Sequence, residues 1–389
     1  MPLFCRRDPF RVVLTSFHGD GYRGNTRVLF ERLCDHAVLR PVWLSRNMDL
    51  VNELQAKFGE ERACLTHSIR GMKMLAGAGA VFMTHGTSDY PFMYLPRHAL
   101  RIQTYHGLPT KRGEYLRPDG DAPPNRLHQL ILAYRFRPIT HFLSSSPLVT
   151  SLFSARFNLP ETVFRETGYP STDELINTGK PSPEFFGMLW PRAPRAGRLI
   201  LYAPTFRRRS RTRWFPFDDL NLAGLASFLE EHDALLALRP HPNDGERIQQ
   251  ITGFSDRFVV AGHTVIENVN LLVAASDVIV TDYSGIYLEG LLRDIPAVFI
   301  PYDRQSYERG FPLPYDEVTP GPHVRTQAEF IKGLEAAMNR NDGFKDYREG
   351  VRSMFFSKTD GNAAGRVIAF LEDELGATPG DSSTGMRTG

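Results

Sequence analysis

Two histidines stand where apolar runs end and turns begin. His106 leaves Leu100–Tyr105 into Gly107-Leu108-Pro109-Thr-Lys111, and His241 follows Ala234–Leu238 within Arg239-Pro240-His-Pro242. An imidazole so placed titrates close enough to neutrality to act as a base. The prolines around His241 fix that turn and remove backbone donors, so the ring is held. Either ring could equally be a histidine satisfied within its own loop. The strongest local feature is Asp277-Val-Ile-Val-Thr281 followed by Asp282-Tyr-Ser284-Gly285-Ile-Tyr-Leu-Glu289. It reads as a strand, a short turn and a helix whose free N–H groups and dipole would suit a diphosphate. Ser284 would add a hydrogen bond, Gly285 would admit close backbone approach, and Glu289, one turn inside, would suit a ribose hydroxyl. The plainer reading is a helix capped by Asp282 or Ser284.

Pro204-Thr205-Phe206 follows another apolar run, Leu199–Ala203. Arg207, Arg208, Arg209, Arg211 and Arg213 then place five arginines in seven residues. Such a run is a solvated loop or a basic lip for a polyanion. No nucleic-acid module surrounds it, so a nucleic-acid partner is not expected. Asp119-Gly-Asp121 resembles a metal-binding triplet but lacks a preceding strand, and no metal is expected there. Gly19-Asp-Gly-Tyr-Arg-Gly24 either lines a cleft or is a flexible turn. Neither a GxGxxG after a strand nor a phosphate loop ending in Lys-Ser/Thr occurs, which excludes the dinucleotide fingerprint and the usual ATPase.

The elements that must position these residues alternate along 389 residues. Strands are expected at Arg11–Phe17, Pro41–Ser45, Ala80–Thr84, Leu100–Tyr105, His141–Ser145 and Thr162–Thr167, then at Leu199–Ala203, Ala234–Arg239, Phe258–Val260, Val278–Thr281 and Ala297–Ile300. Helices are expected over Asn25–His36, Asn125–Phe136, Pro147–Phe157, Asp218–Glu231, Glu267–Ala275, Tyr283–Arg293, Gln327–Asn339 and Gly361–Leu375. Near-continuous apolar strands between helices imply parallel sheets covered on both faces. Gly179–Gly197 carries four prolines and reads as a linker. The expected domains are 1–185 and 196–375, followed by a disordered tail at 376–389. Ligands of such sheets bind beyond the carboxyl ends of the strands.

Composition supports an ordinary globular chain, with 42% hydrophobic and 23% charged residues and a formal charge of +2. The 39 arginines against seven lysines favour anionic ligands or simply reflect codon usage. Cys5, Cys34 and Cys64 lack disulfide or zinc spacing, which suits a reducing cytosol. No secretory signal and no membrane-spanning run is read, and a peripheral membrane contact is left open.

The ordered series His106-Gly-Leu-Pro-Thr-Lys, Thr167-Gly-Tyr-Pro170, Leu201-Tyr-Ala-Pro-Thr-Phe206, Arg239-Pro-His-Pro242 and Thr281-Asp-Tyr-Ser-Gly285 resembles the CDP-glycerol glycerophosphotransferases. These are teichoic acid polymerases and primases, with relatives that make polyol-phosphate capsules. Ser16-Phe-His-Gly-Asp-Gly-Tyr-Arg-Gly-Asn25 and Pro320-Gly-Pro-His-Val324 are similar to that family too. The resemblance implies a GT-B fold, two Rossmann-like doubly wound domains facing a central cleft, with no essential metal or cofactor. It implies His106 as general base and His241 as a second essential histidine. It also implies contacts to CDP-glycerol from Tyr105, Gly107, Leu108, Pro109, Pro204, Thr205, Arg239, Pro240, Ser284, Gly285 and Glu289, beside which Lys111 and Asp282 are further candidates. Three departures stand out: Leu108 for the family's threonine, Ser171 for an arginine after Gly-Tyr-Pro, and Gly285 for a second serine.

The reaction so implied is transfer of a polyol phosphate from a CDP-polyol to an acceptor hydroxyl, with release of CMP. The acceptor would be a polyol phosphate, glycan or lipid-linked chain, at the inner face of the cell membrane, and the five-arginine run would track it. The alternatives are a GT-B glycosyltransferase using a nucleotide sugar and a non-catalytic partner in surface-polymer assembly.

Overall fold

A computed structural model describes residues 6–91, 93–112, 126–179, 187, 197–205, 207, 212–240, 245–307 and 310–377. The chain divides into two compact units, the first made of Met1–Gly107, Gly113–Glu174 and Asp360–Gly389 and the second of Leu108–Arg112 and Leu175–Thr359.

Unit 1 holds a seven-stranded parallel sheet in the order β3-β2-β1-β4-β5-β6-β7. Its strands are β1 (Asp8–Leu14), β2 (Arg40–Ser45), β3 (Ala63–Leu65), β4 (Ala78–Met83), β5 (Leu100–Gln103), β6 (His141–Leu143) and β7 (Phe164–Arg165). Helices α1 (Gly24–Cys34), α2 (Met48–Phe58), α3 (Ile69–Ala76), α4 (Arg126–Phe136), α5 (Pro147–Phe157) and α6 (Pro170–Asn177) connect them, with the division between units falling inside α6. Strand β4 is buried along its whole length, as a central strand covered on both faces must be. Phe142, Phe153 and Phe157 cluster at ring-centroid separations between 5.1 and 5.7 Å under β6. Ser146 caps α5 with Pro147 at its first turn, a standard start signal.

Unit 2 holds a five-stranded parallel sheet, β10-β9-β8-β11-β12. The strands are β8 (Arg198–Tyr202), β9 (Ala234–Leu238), β10 (Phe258–Val260), β11 (Val278–Thr281) and β12 (Ala297–Phe299). Around them run α7 (Leu222–Glu231), α8 (Gly245–Thr252), α9 (Val269–Ala275), α10 (Ile286–Leu291), α11 (Gln327–Met338) and α12 (Lys345–Phe355). One core joins Ile200, Tyr202, Phe215, Leu236, Val280 and Phe330. Thr326 and Glu329 form a reciprocal capping box at the start of α11.

The last helix, α13 (Ala363–Leu375), returns to unit 1 rather than continuing the second domain to residue 375 as the sequence reading had it. The cause is local. Asp173, 2% exposed, accepts hydrogen bonds from the first-turn N–H groups of Ala363 and Ala364 at 2.8 and 2.7 Å. That carboxylate satisfies donors a helix start leaves orphaned. The α13 end is also ordered through Ala377, whose N–H bonds the Glu372 carbonyl at 2.8 Å, so the expected tail begins no earlier than residue 378. Residues 378–389 and most of the linker expected at Gly179–Gly197 lie outside the described residues.

Candidate active site

Both strand orders reverse beside the first strand of the sheet, between β1 and β4 in unit 1 and between β8 and β11 in unit 2. Loops that leave neighbouring strands on either side of such a reversal splay apart and leave room for a ligand.

In unit 1 the two loops at this reversal and the loop after neighbouring β5 bring together three imidazoles. Beyond β1, Phe17, His18 and Gly19 are consecutive left-handed residues, with φ of 48, 63 and 87°. Beyond β4 lies Thr84-His85-Gly86-Thr87-Ser88-Asp89. Beyond β5, Tyr105 is left-handed as well, φ 56°, and His106 follows. The His85 and His106 rings stack at 4.1 Å and 8°, while His18 lies 4.3 Å from His85. Tyr105 stacks on His106 at 4.1 Å.

Asp89, fully buried, holds the constellation. Its carboxylate accepts the His18 N–H at 2.8 Å, the His85 N–H at 3.0 Å and the Thr84 hydroxyl at 3.0 Å. Non-glycine left-handed residues cost on the order of 1 kcal/mol or more each, and a buried carboxylate bonded to backbone N–H groups is a sufficient restraint. Asn25, at the start of α1, fixes the third loop by donating to the Thr104 and Tyr105 carbonyls at 3.3 Å each. Its own carbonyl accepts the Ser171 N–H and hydroxyl at 3.0 and 2.7 Å. Ser171, a departure from the family pattern, therefore supports the turn that carries His106.

The His106 Nδ1 lies 3.3 Å from the Thr84 carbonyl oxygen. A carbonyl only accepts, so Nδ1 carries the proton and Nε2 keeps its lone pair. The ring has an exposed edge, yet the protein around it, with His85 and Arg156 beside it, pulls its pKa well below the usual histidine range. Burial, with His18, Arg135 and Arg23 alongside, lowers His85 to about 4. Both rings are neutral bases at pH 7.

Unit 2 uses the same topological position differently. The carboxylate of Asp282, 2% exposed, accepts the Thr205 N–H at 2.7 Å and binds the guanidinium of Arg207 at 2.8 Å. Arg207 is itself 4% exposed and makes two further bonds of 2.9 Å to the Asp303 carboxylate. Tyr283, Tyr302 and Tyr307 surround the guanidinium with centroids at 5.1–5.4 Å. Arg207 is therefore a buried counter-ion that ties the loop after β8 to the loop after β11, not part of a basic lip. Asp282 is engaged in that network and does not cap α10; the cap position is Gly285, with no side-chain bond. Arg213 is exposed, and Phe206, Arg208, Arg209 and Arg211 lie outside the described residues.

The segment Leu108–Arg112 belongs to unit 2. Arg112 anchors it by donating from Nε to the Phe311 carbonyl at 3.0 Å. Thr110 packs over Gly285, where an added Cβ would sit 3.1 Å from Thr110 Cγ2. The glycine thus admits this segment rather than open space. Pro109, Thr110, Tyr283, Tyr287, Phe311 and Tyr315 are among the walls of an open pocket of about 350 Å³, including its mouth. Pro204, Ser284 and Glu289 are partly exposed nearby in sequence to these turns, and Thr205 is buried with an unpartnered hydroxyl. Burial raises the Glu289 carboxyl to about 7. Arg239 donates to the Ala261 and Ile266 carbonyls at 2.9 and 3.0 Å, which fastens the loop after β10; Pro240 follows it, and His241 lies outside the described residues. Gly107 and Lys111 are partly exposed.

The sequence reading missed His18, His85 and Asp89 as a constellation. Their spacing follows no motif, and only the adjacency of β1 and β4 unites them. Among the described residues no group of three or more His, Cys, Asp or Glu is arranged to hold a metal ion, and Asp119 and Asp121 lie outside them.

Two doubly wound parallel units with their loops gathered at the strand ends are the architecture of the GT-B fold. Residues 2–373 match the profile described as CDP-glycerol:poly(glycerophosphate) glycerophosphotransferase, and the chain belongs to that family. A teichoic acid glycerol-phosphate transferase of Staphylococcus aureus is 25% identical over 92% of this chain and 91% of its own length. A teichoic acid poly(glycerol phosphate) polymerase of Bacillus subtilis is 26% identical over 83% of this chain but only 43% of its own. The solved wall teichoic acid polymerase TagF has the same fold, with a TM-score of 0.75 at 20% identity over 95% of this chain and 90% of that one. A structure of Staphylococcus aureus MnaA with UDP shares the fold more distantly, with a TM-score of 0.55 at 15% identity over 95% of this chain and 98% of that one.

Proposed function

We propose that this transferase moves glycerol phosphate, or a related polyol phosphate, from its CDP ester to an acceptor hydroxyl and releases CMP. The observation that carries the reading is His106: an exposed, neutral imidazole with Nδ1 tied to a backbone carbonyl and Nε2 free. The acceptor hydroxyl would give its proton to Nε2 as its oxygen attacks the β-phosphorus, and the bond to the CMP oxygen breaks. A positioned base supplies about 10²–10⁴-fold. Preorganised donors at the loop after β11 would stabilise charge on the phosphates. His241 is the remaining candidate for the leaving CMP, since the Arg239 guanidinium is engaged with carbonyls. No essential metal is required on this reading, so chelation should leave the rate unchanged.

The test is CMP release from CDP-glycerol and CDP-ribitol, each with a polyol-phosphate acceptor. Release by the native chain and its loss in His106→Ala is the expected result; glycosidic product from a nucleotide sugar would overturn it.

An anionic membrane surface is the proposed setting, at the inner face of the cell membrane. Among the described residues no helix is long and apolar enough to cross a bilayer. Helix α4, however, exposes Leu127, Leu130, Ile131 and Tyr134 by 48–70%, at the i, i+3, i+4, i+7 spacing of one face. Exposed Arg126 and Arg137 flank that stripe, the pattern of a helix lying in a membrane interface. Leu130→Asp should abolish co-sedimentation with phosphatidylglycerol vesicles and spare CMP release from a water-soluble acceptor.

A further inference from the structure

We propose that His18, Arg23 and His85 form an acceptor subsite that holds a phosphate oxyanion of the acceptor beside His106. This rests on the reading of His106 as the base and adds where the acceptor's own charge is received.

Three observations carry it. The first is conformational cost. Phe17, His18 and Gly19 lie in succession in the left-handed region, and two of the three carry side chains that disfavour it. The turn is held by Asp89 through the His18 N–H and by Thr84, whose hydroxyl accepts the Phe17 N–H at 3.0 Å. Nothing in the sheet requires this strain. Its outcome is an exposed His18 imidazole set 4.3 Å from His85.

The second is charge. Among the described residues, the groups that face His85 and His106 are His18, Arg23, Arg135 and Arg156, with Asp89 the acid among them. Asp89 is already bonded to four N–H and hydroxyl donors at 2.5–3.0 Å. Asp20, the next acid along the turn, is paired with Arg46 at 3.4 Å. Among the described residues, arginines outnumber acids beside the two rings, a setting that suits an anion. Burial is the main cause of the depressed basicity of His85, and His18, Arg135 and Arg23 add to it.

The third is place. The loops that carry His18 and His85 leave β1 and β4, the pair at which the strand order reverses. Arg23 spreads its guanidinium over the Phe17 ring at 3.9 Å, on the same loop. A polyol phosphate bound here would present its free hydroxyl a few bonds away, toward the next strand end, where His106 stands.

The ligand class is a phosphate mono- or diester, and two sources could supply it: the acceptor or the β-phosphate of the donor. His18→Gly separates them, because glycine suits the left-handed turn and its fold should be as stable as the native one or more so. The full chain is assayed for CMP release with CDP-glycerol and a glycerol-phosphate acceptor. The expected result is a rise of tenfold or more in acceptor KM, with donor KM within about twofold and Tm unchanged or raised. Arg23→Gln should raise acceptor KM in the same direction.

An unchanged acceptor KM, or a rise confined to donor KM, overturns the proposal. A readout independent of turnover is the imidazole ¹H–¹³C NMR titration of the native chain. Adding glycerol 3-phosphate should shift the His85 midpoint upward and move the His18 ring resonances, and adding CMP should do neither. If no CMP is released with any acceptor, the transferase reading fails while the titration still decides the anion site. If CMP is released but glycerol 3-phosphate moves neither ring, the subsite fails alone.

Discussion

The loops at the strand reversal of unit 1 present side chains, while those of unit 2 lock themselves together. In unit 1 a buried carboxylate, Asp89, bonds the backbone of His18 and His85, and Asn25 holds the turn before His106, so that three imidazoles gather at the strand ends. In unit 2 the corresponding carboxylate, Asp282, is spent on a buried guanidinium, and the loop gains rigidity in place of reactive groups. One topology thus serves two purposes: holding titratable groups at a cost in strain, and holding a turn still at a cost in desolvation. The first arrangement should be sensitive in rate and the second in stability.

The largest expected effect follows from removing the base. His106→Ala should lower CMP release by about 10²–10⁴-fold with little change in Tm, because the ring is exposed. A large loss of stability in this variant would erase the contrast between the units. Arg207→Met should show the reverse. It strands Asp282 and Asp303 without their shared counter-ion, and breaking a buried pair costs roughly 3–5 kcal/mol. Urea denaturation should register that loss. A variant that unfolds no more easily but turns over far more slowly would move Arg207 into the chemistry.

This pair of residues also shows what was legible in the sequence. The two doubly wound sheets followed from apolar runs between helical patterns, and β10, β11 and α5 match their expected bounds residue for residue. Short or polar elements were missed, among them β3, α2, α3, α6, α8 and α12. Ala63–Leu65 is too brief for a periodic signal, and the strongly charged α12 reads as surface chain until packed. His106 was visible because it follows a strand directly. The partners His18 and His85 were not, since they lie 67 residues apart in the chain and meet only through sheet order. Arg207 was misplaced for a related reason: a run of arginines looks like one solvated object, and nothing local marks the member that turns inward toward Asp282.

pH separates the two units by sign. His85 titrates near 4 in the fold and near 6.5 in an unfolded chain, so its neutral form stabilises fully above about 6.5 and progressively less as pH falls toward 4. Glu289 is raised to about 7 from an ordinary 4.5, so its contribution is present below about 4.5 and lost as pH rises through 7. Each term amounts to roughly 1–3 kcal/mol once partial exposure is allowed for. Relative to the native chain, Glu289→Gln should gain stability at pH 8 and little at pH 4. His85→Phe, which keeps a flat ring in the stack, should gain it near pH 4.5 and not at pH 8. Parallel curves for native and variant chains would remove either group from the account.

The smallest expected effect tests whether unit 2 is as closed as its loops suggest. An added Cβ on Gly285 would meet Thr110 Cγ2 at 3.1 Å, a few tenths of an ångström too close. Gly285→Ser should therefore destabilise by about 1 kcal/mol, the low end of overpacking costs. Thr110→Ala removes the opposing methyl, so the double variant should recover most of that loss. A coupling energy near zero in the four-member cycle would mean that Thr110 yields freely and that the space above Gly285 is open to a ligand after all. A coupling close to the single-variant cost would mean that the glycine is kept for the chain's own Leu108–Arg112 segment.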